Sequence, residues 1–259
     1  MGRLSEPKKL QELKILLEEK TDQYNTPEFI VNDPISIPHK LNKKEDIEII
    51  GFIIASIAWG NRATILKSGD NLLNITGYAP HDFVLHASPK DFRDLKFVHR
   101  TFNGKDLENF FTSIRRIYKS GSSLEEVFGG KKFQGDIKER IIHLRNIFID
   151  DNFEKRSVKH ISSPLSNSAC KRINMYLRWM VRKDKRKVDF GIWNSIPMSD
   201  LCVPLDVHTG RIARELGLIN RTQDDWKTVE EMMQVLRKFD PKDPAKYDYA
   251  LFGIGVNEK

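Results

Sequence analysis

Apolar residues recur at helical spacing along almost the whole chain. Leu10, Leu13, Leu16 and Leu17 line one face of a first helix. Between Asp46 and Ala58 nearly every position is apolar, the pattern of a helix buried on all sides. Asp106 stands ahead of Leu107, Phe110, Phe111, Ile114 and Ile117, with Gly121 as the stop. Asp136 and Glu139 make a capping-box signature before Ile137, Ile141, Leu144 and Ile147. Thr222 and Asp225 repeat it before Trp226, Val229, Met233 and Leu236, and Asp240-Pro241 closes that helix. Lys171–Arg182, Val207–Leu216 and Lys246–Gly253 complete the helical set. Extended structure has little support, since Leu95–Phe102 has no strand-like neighbour to pair with. Gln23–Lys44, with Pro27, Pro34 and Pro38, reads as an irregular, wrapped connection. The pattern predicts an all-α protein of about ten short helices.

Composition adds limits. Hydrophobic residues make up 39% and charged residues 31% of the 259 positions, enough for a sizeable core and against a disordered chain. The longest apolar run, Ile49–Trp59, is too short for a bilayer and contains Gly51 and Ser56, so no membrane partner is expected. The opening MGRLSEPKKLQELK lacks the apolar segment of a signal peptide, which points to the cytoplasm. Cys170 and Cys202 are too few for a disulfide framework, a four-cysteine zinc site or an iron–sulfur cluster. The seven histidines show no ligand spacing, so neither metal nor other cofactor is expected. A net charge of +7 permits a polyanionic partner without requiring one. The densest cationic run is Arg182–Lys187, which a solvated loop would also explain.

Two stretches carry candidate chemistry. In Leu165–Met180 a short polar turn, Ser166, Asn167 and Ser168, leads into a helix with Ile173, Leu177 and Met180 on one face. Lys171, Asn174, Arg178 and Arg182 fall on the other, as a solvated cationic face would have them. Free N–H groups at such a turn and helix start form a phosphate seat. Lys171 stands in the first turn of that helix, where an amine nucleophile could be presented. In Leu201–Gly217, Pro204 fixes the approach and Asp206 takes an N-cap position, with His208 just inside the helix. A capped amphipathic helix in each place would look the same.

Taken together, the stretches resemble the helix-hairpin-helix base-excision DNA glycosylases. Lys171-Arg-Ile-Asn-Met-Tyr-Leu177 is similar to the end of that family's hairpin and its following helix. Pro204-Leu-Asp-Val-His208 is similar to its Val-Asp-x-His element. Ala55–Ile65 resembles the buried helix and polar turn that plug the duplex, and Lys246–Gly253 the C-terminal helix whose phenylalanine stacks on the extruded base. The whole also looks like an uncharacterised bacterial family related to the 8-oxoguanine branch, marked by Asp33-Pro, Pro38-His and Pro-Leu-Asp-x-His. Asn167 and Ala169 depart from the pattern, standing where the family usually has glycine; Asn tolerates a left-handed backbone, and Ala does not.

The resemblance implies two helical subdomains with a DNA-binding cleft between them, residues 46–180 forming one and residues 1–45 plus 181–259 the other. It implies a glycosylase with β-lyase activity on an oxidised purine, 8-oxoguanine foremost, acting as a monomer on double-stranded DNA containing a damaged base. Lys171 would form the Schiff base and Asp206 would assist it. Asn61 would plug the duplex beside Arg62, while Ser166, Asn167, Ser168, His208, Arg211 and part of Arg182–Lys187 would hold phosphates. Met175, Trp193 and Phe252 would line the base pocket, and Lys183–Met198 would loop out as an insertion. The alternative is a non-catalytic nucleic-acid-binding protein on the same fold.

Overall fold

Helices dominate, as the periodicity predicts. The computed structural model describes residues 6–257; the stretch examined for a leader begins outside them, in residues 1–5. Within the described residues lie thirteen α-helices, six 3₁₀ turns and one two-stranded ribbon. A single cluster of buried apolar residues extends from Leu17 to Leu251. No helix among the described residues is long and apolar enough to cross a membrane.

The helix predicted to be buried on all sides runs Lys44–Ile57 and is buried from Asp46 to Ile57. It packs on the helix Lys171–Val181, and Gly51 lets Tyr176 and Met180 approach: a Cβ there would lie 3.3 and 3.1 Å from them. Glu48 sits fully buried in the middle of this helix and accepts hydrogen bonds from Tyr118 Oη (2.6 Å) and Trp193 Nε1 (2.8 Å). Burial pushes its carboxyl up despite those two donors.

Helix starts follow the capping logic with some shifts of register. Asp136 and Glu139 form the capping box of Ile137–Phe148. In Gly104–Lys119 the cap is Asn103, and Asp106 is the residue that reaches back to it. Asp225, not Thr222, caps Trp226–Phe239. The Gln23–Lys44 connection is more regular than its prolines suggest. Pro27, Pro34 and Pro38 each open a helical turn (Pro27–Asn32, Pro34–Ser36 and Pro38–Lys40), where the missing N–H has no intrahelical partner to lose. Pro80–His86 and Pro89–Arg93 arise the same way, and Arg62–Ile75 is a further helix that its sparse apolar positions concealed. Leu95–Phe102 finds its partner at its own end, Val98–His99 pairing antiparallel with Phe102–Asn103.

Lys183–Met198 does not loop out. The Phe190 and Trp193 N–H groups bond the Trp179 and Met180 carbonyls at the end of the preceding helix, at 2.8 and 2.9 Å. Arg186 donates to the Asp22 and Asn25 carbonyls at the end of the helix Glu6–Tyr24 (2.8 and 2.9 Å), and Glu125 accepts from the Asn194 and Ser195 N–H groups. The segment ties the two ends of the chain to the middle.

Candidate functional site

Two strained backbone positions set the lysine in place. Asn167 (φ +59°) and Cys170 (φ +50°) are left-handed, while Ala169 is not, so the position left in conflict by the missing glycine is relieved by its neighbour. Asn167 Nδ2 donates to Asp225 Oδ2 (3.2 Å), bracing the turn from the helix Trp226–Phe239. The helix Lys171–Val181 then starts with no side-chain cap, and its first residues line a cavity of about 640 Å³. Uncapped N–H groups at this entrance favour an anion.

Asp206 approaches from the other side. It caps Val207–Glu215, Oδ1 accepting the His208 and Thr209 N–H groups at 2.9 Å each. Its second oxygen, Oδ2, lies 2.7 Å from Lys171 Nζ; the lysine side chain is 35% exposed and the aspartate 18%. Burial alone would raise the Asp206 carboxyl, but Lys171, the Thr209 N–H and His208 together hold it below the ordinary aspartate value. The pair is therefore neither sealed in the core nor turned to bulk solvent away from a groove. It stands in the wall of the cavity.

Aromatic rings form much of the remaining wall. Arg62 lies over Phe252 (5.4 Å to the ring centroid) and Arg172 over Trp59 (4.8 Å). Phe29 meets Phe252 edge-on at 5.9 Å. Deeper in, Arg178 donates to Asp248, whose carboxyl burial pushes up to about 6, with Arg178 opposing and Asp206 reinforcing the rise. Asp33 lines the same cavity.

Lys171, Asp206, Ser168, His208, Arg62, Met175 and Phe252 are thus brought to one cavity. The remaining candidates are not in its lining. Trp193 is buried against Phe128 and Tyr176 with its indole N–H on Glu48, so it is a core residue and not part of this cavity's wall. Asn61 caps Arg62–Ile75 by accepting from the Thr64 N–H (3.3 Å), next to the cavity residues Gly60 and Arg62. Ser166 is exposed at the end of the turn Pro164–Ser166. Asn167 spends its amide on Asp225, and Arg211 pairs with Glu215 at 2.7 Å. The expected cationic face dissolves past Lys171. Asn174, Arg178 and Arg182 are buried, and Arg182 binds Asp189, Asp184 and Asp243, which removes it from the phosphate-binding candidates.

Residues 33–257 match the family described as Protein of unknown function (DUF2400). The chain belongs to that family. No curated protein and no solved structure matches it. The match begins at Asp33 and spans both Lys171 and Asp206. Among the described residues of this DUF2400 member, no cluster of three or more His, Cys, Asp or Glu side chains is arranged to hold a metal. Asp33, Trp59, Arg172, Arg178 and Asp248 are cavity residues that sequence reasoning missed. Asp248 had a signal, a lone acid in the otherwise apolar helix Tyr247–Asn257.

Proposed function

We propose that the chain is a DNA base-excision glycosylase with β-lyase activity, acting on an oxidised purine, 8-oxoguanine foremost, in double-stranded DNA. The contact of 2.7 Å between Lys171 Nζ and Asp206 Oδ2 in the wall of the cavity carries this reading. N-glycosidic cleavage needs a nucleophile at C1′ and an anion facing the positive charge that builds on the sugar. Asp206 is the acceptor within reach of the lysine proton, and the freed amine attacks C1′. The base departs with the bonding electron pair. Opening of the sugar ring leaves a protonated imine between Nζ and C1′; loss of a C2′ proton then expels the 3′ phosphate, and water releases the lysine.

The other features fit the same task. An extruded base needs an apolar pocket with a ring to stack on, for which Met175 supplies apolar wall and Phe252 the ring. The uncapped helix start at Lys171 and the His208 side chain suit the flanking phosphates. On this reading residues 46–180 and the remainder are the two subdomains, Lys171 standing on one and Asp206 on the other. Asn61 and Arg62 face the gap left in the duplex.

Borohydride trapping tests the reading. A covalent protein–DNA adduct is expected with 8-oxoguanine opposite cytosine, absent in Lys171→Gln and reduced about 100-fold in Asp206→Asn, within the range of general acid–base contributions. No adduct from the unaltered protein on any lesion or on an abasic site sinks the proposal. DNA binding that persists without an adduct would mark a non-catalytic binding protein.

A further inference from the structure

Asp33 has no part in that mechanism, yet it reaches the cavity. It lies on the proline-rich N-terminal segment and caps the three-residue turn Pro34–Ser36, Oδ1 accepting the Ile35 N–H at 3.1 Å. The cap accounts for one oxygen. Oδ2 has no hydrogen bond or ion pair among the described residues; it is not sealed, and the residue lines the cavity while only 8% exposed. Arg62 and Arg178 act on the carboxylate from beyond ion-pair distance, one stacked on Phe252 and the other spent on Asp189 and Asp248. Burial pushes this carboxyl up, with the Ile35 N–H and the two arginines opposing. A buried acceptor left open toward a cavity calls for a donor from whatever fills it.

Phe29, Trp59 and Phe252 line the same cavity and suit a planar ring. We propose that Asp33 is a specificity-determining residue whose free oxygen accepts a hydrogen bond from a ring N–H or amino group of the extruded base. The proposal rests on the glycosylase reading above and deepens it. Guanine-derived bases suit such an acceptor best: they carry N1–H and a 2-amino group on one edge, and oxidation at C8 adds an N7–H on the other. A wrapped segment outside the lysine and aspartate helices thereby reads the base, while those helices act on the sugar.

Two variants and two substrates test this. Asp33→Asn keeps the capping oxygen and the shape of the side chain but places an amino group where the free oxygen was. Asp33→Ser keeps only a cap. The substrates are a duplex with the damaged base that the wild type releases best from a panel of oxidised and deaminated purines, and the same duplex with a preformed abasic site, which offers no base to read. Base release is expected to fall about 100-fold in kcat/KM in both variants, since a site built for a hydrogen bond discriminates by at least that much. Trapping at the abasic site is expected to stay within about twofold of wild type. Wild-type rates of base release in the variants overturn the proposal. So does an equal loss on both duplexes in both variants, which would make Asp33 a residue of the fold alone; if Asp33→Asn fails to fold, Asp33→Ser decides. A wild type that releases no base from the panel also overturns it. Failure of the wild type to trap at the abasic site defeats the glycosylase reading, and this proposal falls with it.

Discussion

Asp248 sits where a carboxylate meets a cleft, and its protonation couples the site to pH. Burial lifts its carboxyl from the ordinary 3.8 to about 6, against the pull of Arg178. The native state therefore holds a proton that the unfolded chain has released above pH 4. Stability from this group is present at low pH and is lost as pH rises from about 4 to about 6. The variant Asp248→Asn lacks that titration but keeps an acceptor for Arg178. The stability of the wild type minus that of Asp248→Asn is expected to fall across this window and to level off above pH 7. Urea midpoints measured at half-unit steps check it, and a difference that climbs with pH contradicts the assignment. At this scale Lys171 and Asp206 were legible because each begins a helix, a position that local sequence marks. Asp33 and Asp248 were not marked as site residues, since only the packing of distant segments turns their carboxylates toward one cavity.

At the scale of the element, the turn before Lys171 is held by one left-handed asparagine and its bond to Asp225. Asn167→Ala is expected to cost about 1–2 kcal/mol, because alanine keeps the Cβ but lacks the short polar side chain that makes the left-handed conformation tolerable, and the bond to Asp225 is lost. Asn167→Gly keeps the backbone and forfeits only the bond, so it should cost less. Thermal denaturation of both variants gives the order, and alanine matching glycine would remove the backbone argument. The capping box of Asp136 and Glu139 was readable because its bonds join residues three apart. The ribbon at Val98–Asn103 was not, because strands of two residues carry too little periodicity to register. The helical turns at Pro27, Pro34 and Pro38 were misread for a different reason: proline signals a break, and also a beginning.

For the molecule as a whole, the decisive feature is the buried ionic network that Lys183–Met198 brings inward. Asp189, fully buried, accepts from Arg178 (3.2 Å), Arg182 (3.1 Å) and Tyr249 Oη (2.9 Å), and Arg178 in turn holds Asp248 at the cavity. Removing the shared acid leaves two buried guanidinium groups short of a partner. Asp189→Ala is expected to lose about 3–5 kcal/mol, read as a fall in the urea midpoint. A loss below 1 kcal/mol would show that solvent reaches the network.

The sequence by itself determined the helical class, the buried middle helix and several helix starts, those at Lys171 and Val207 among them. Those properties depend on spacings of a few residues, and hydrophobic burial and capping act over such distances. Only the tertiary structure decided that Arg178 and Arg182 turn inward, that Trp193 belongs to the core, and that an acid from the N-terminal wrap opens on the cavity. Each of these depends on which remote charge or donor a side chain meets after the chain has closed on itself, and no local pattern encodes that partner.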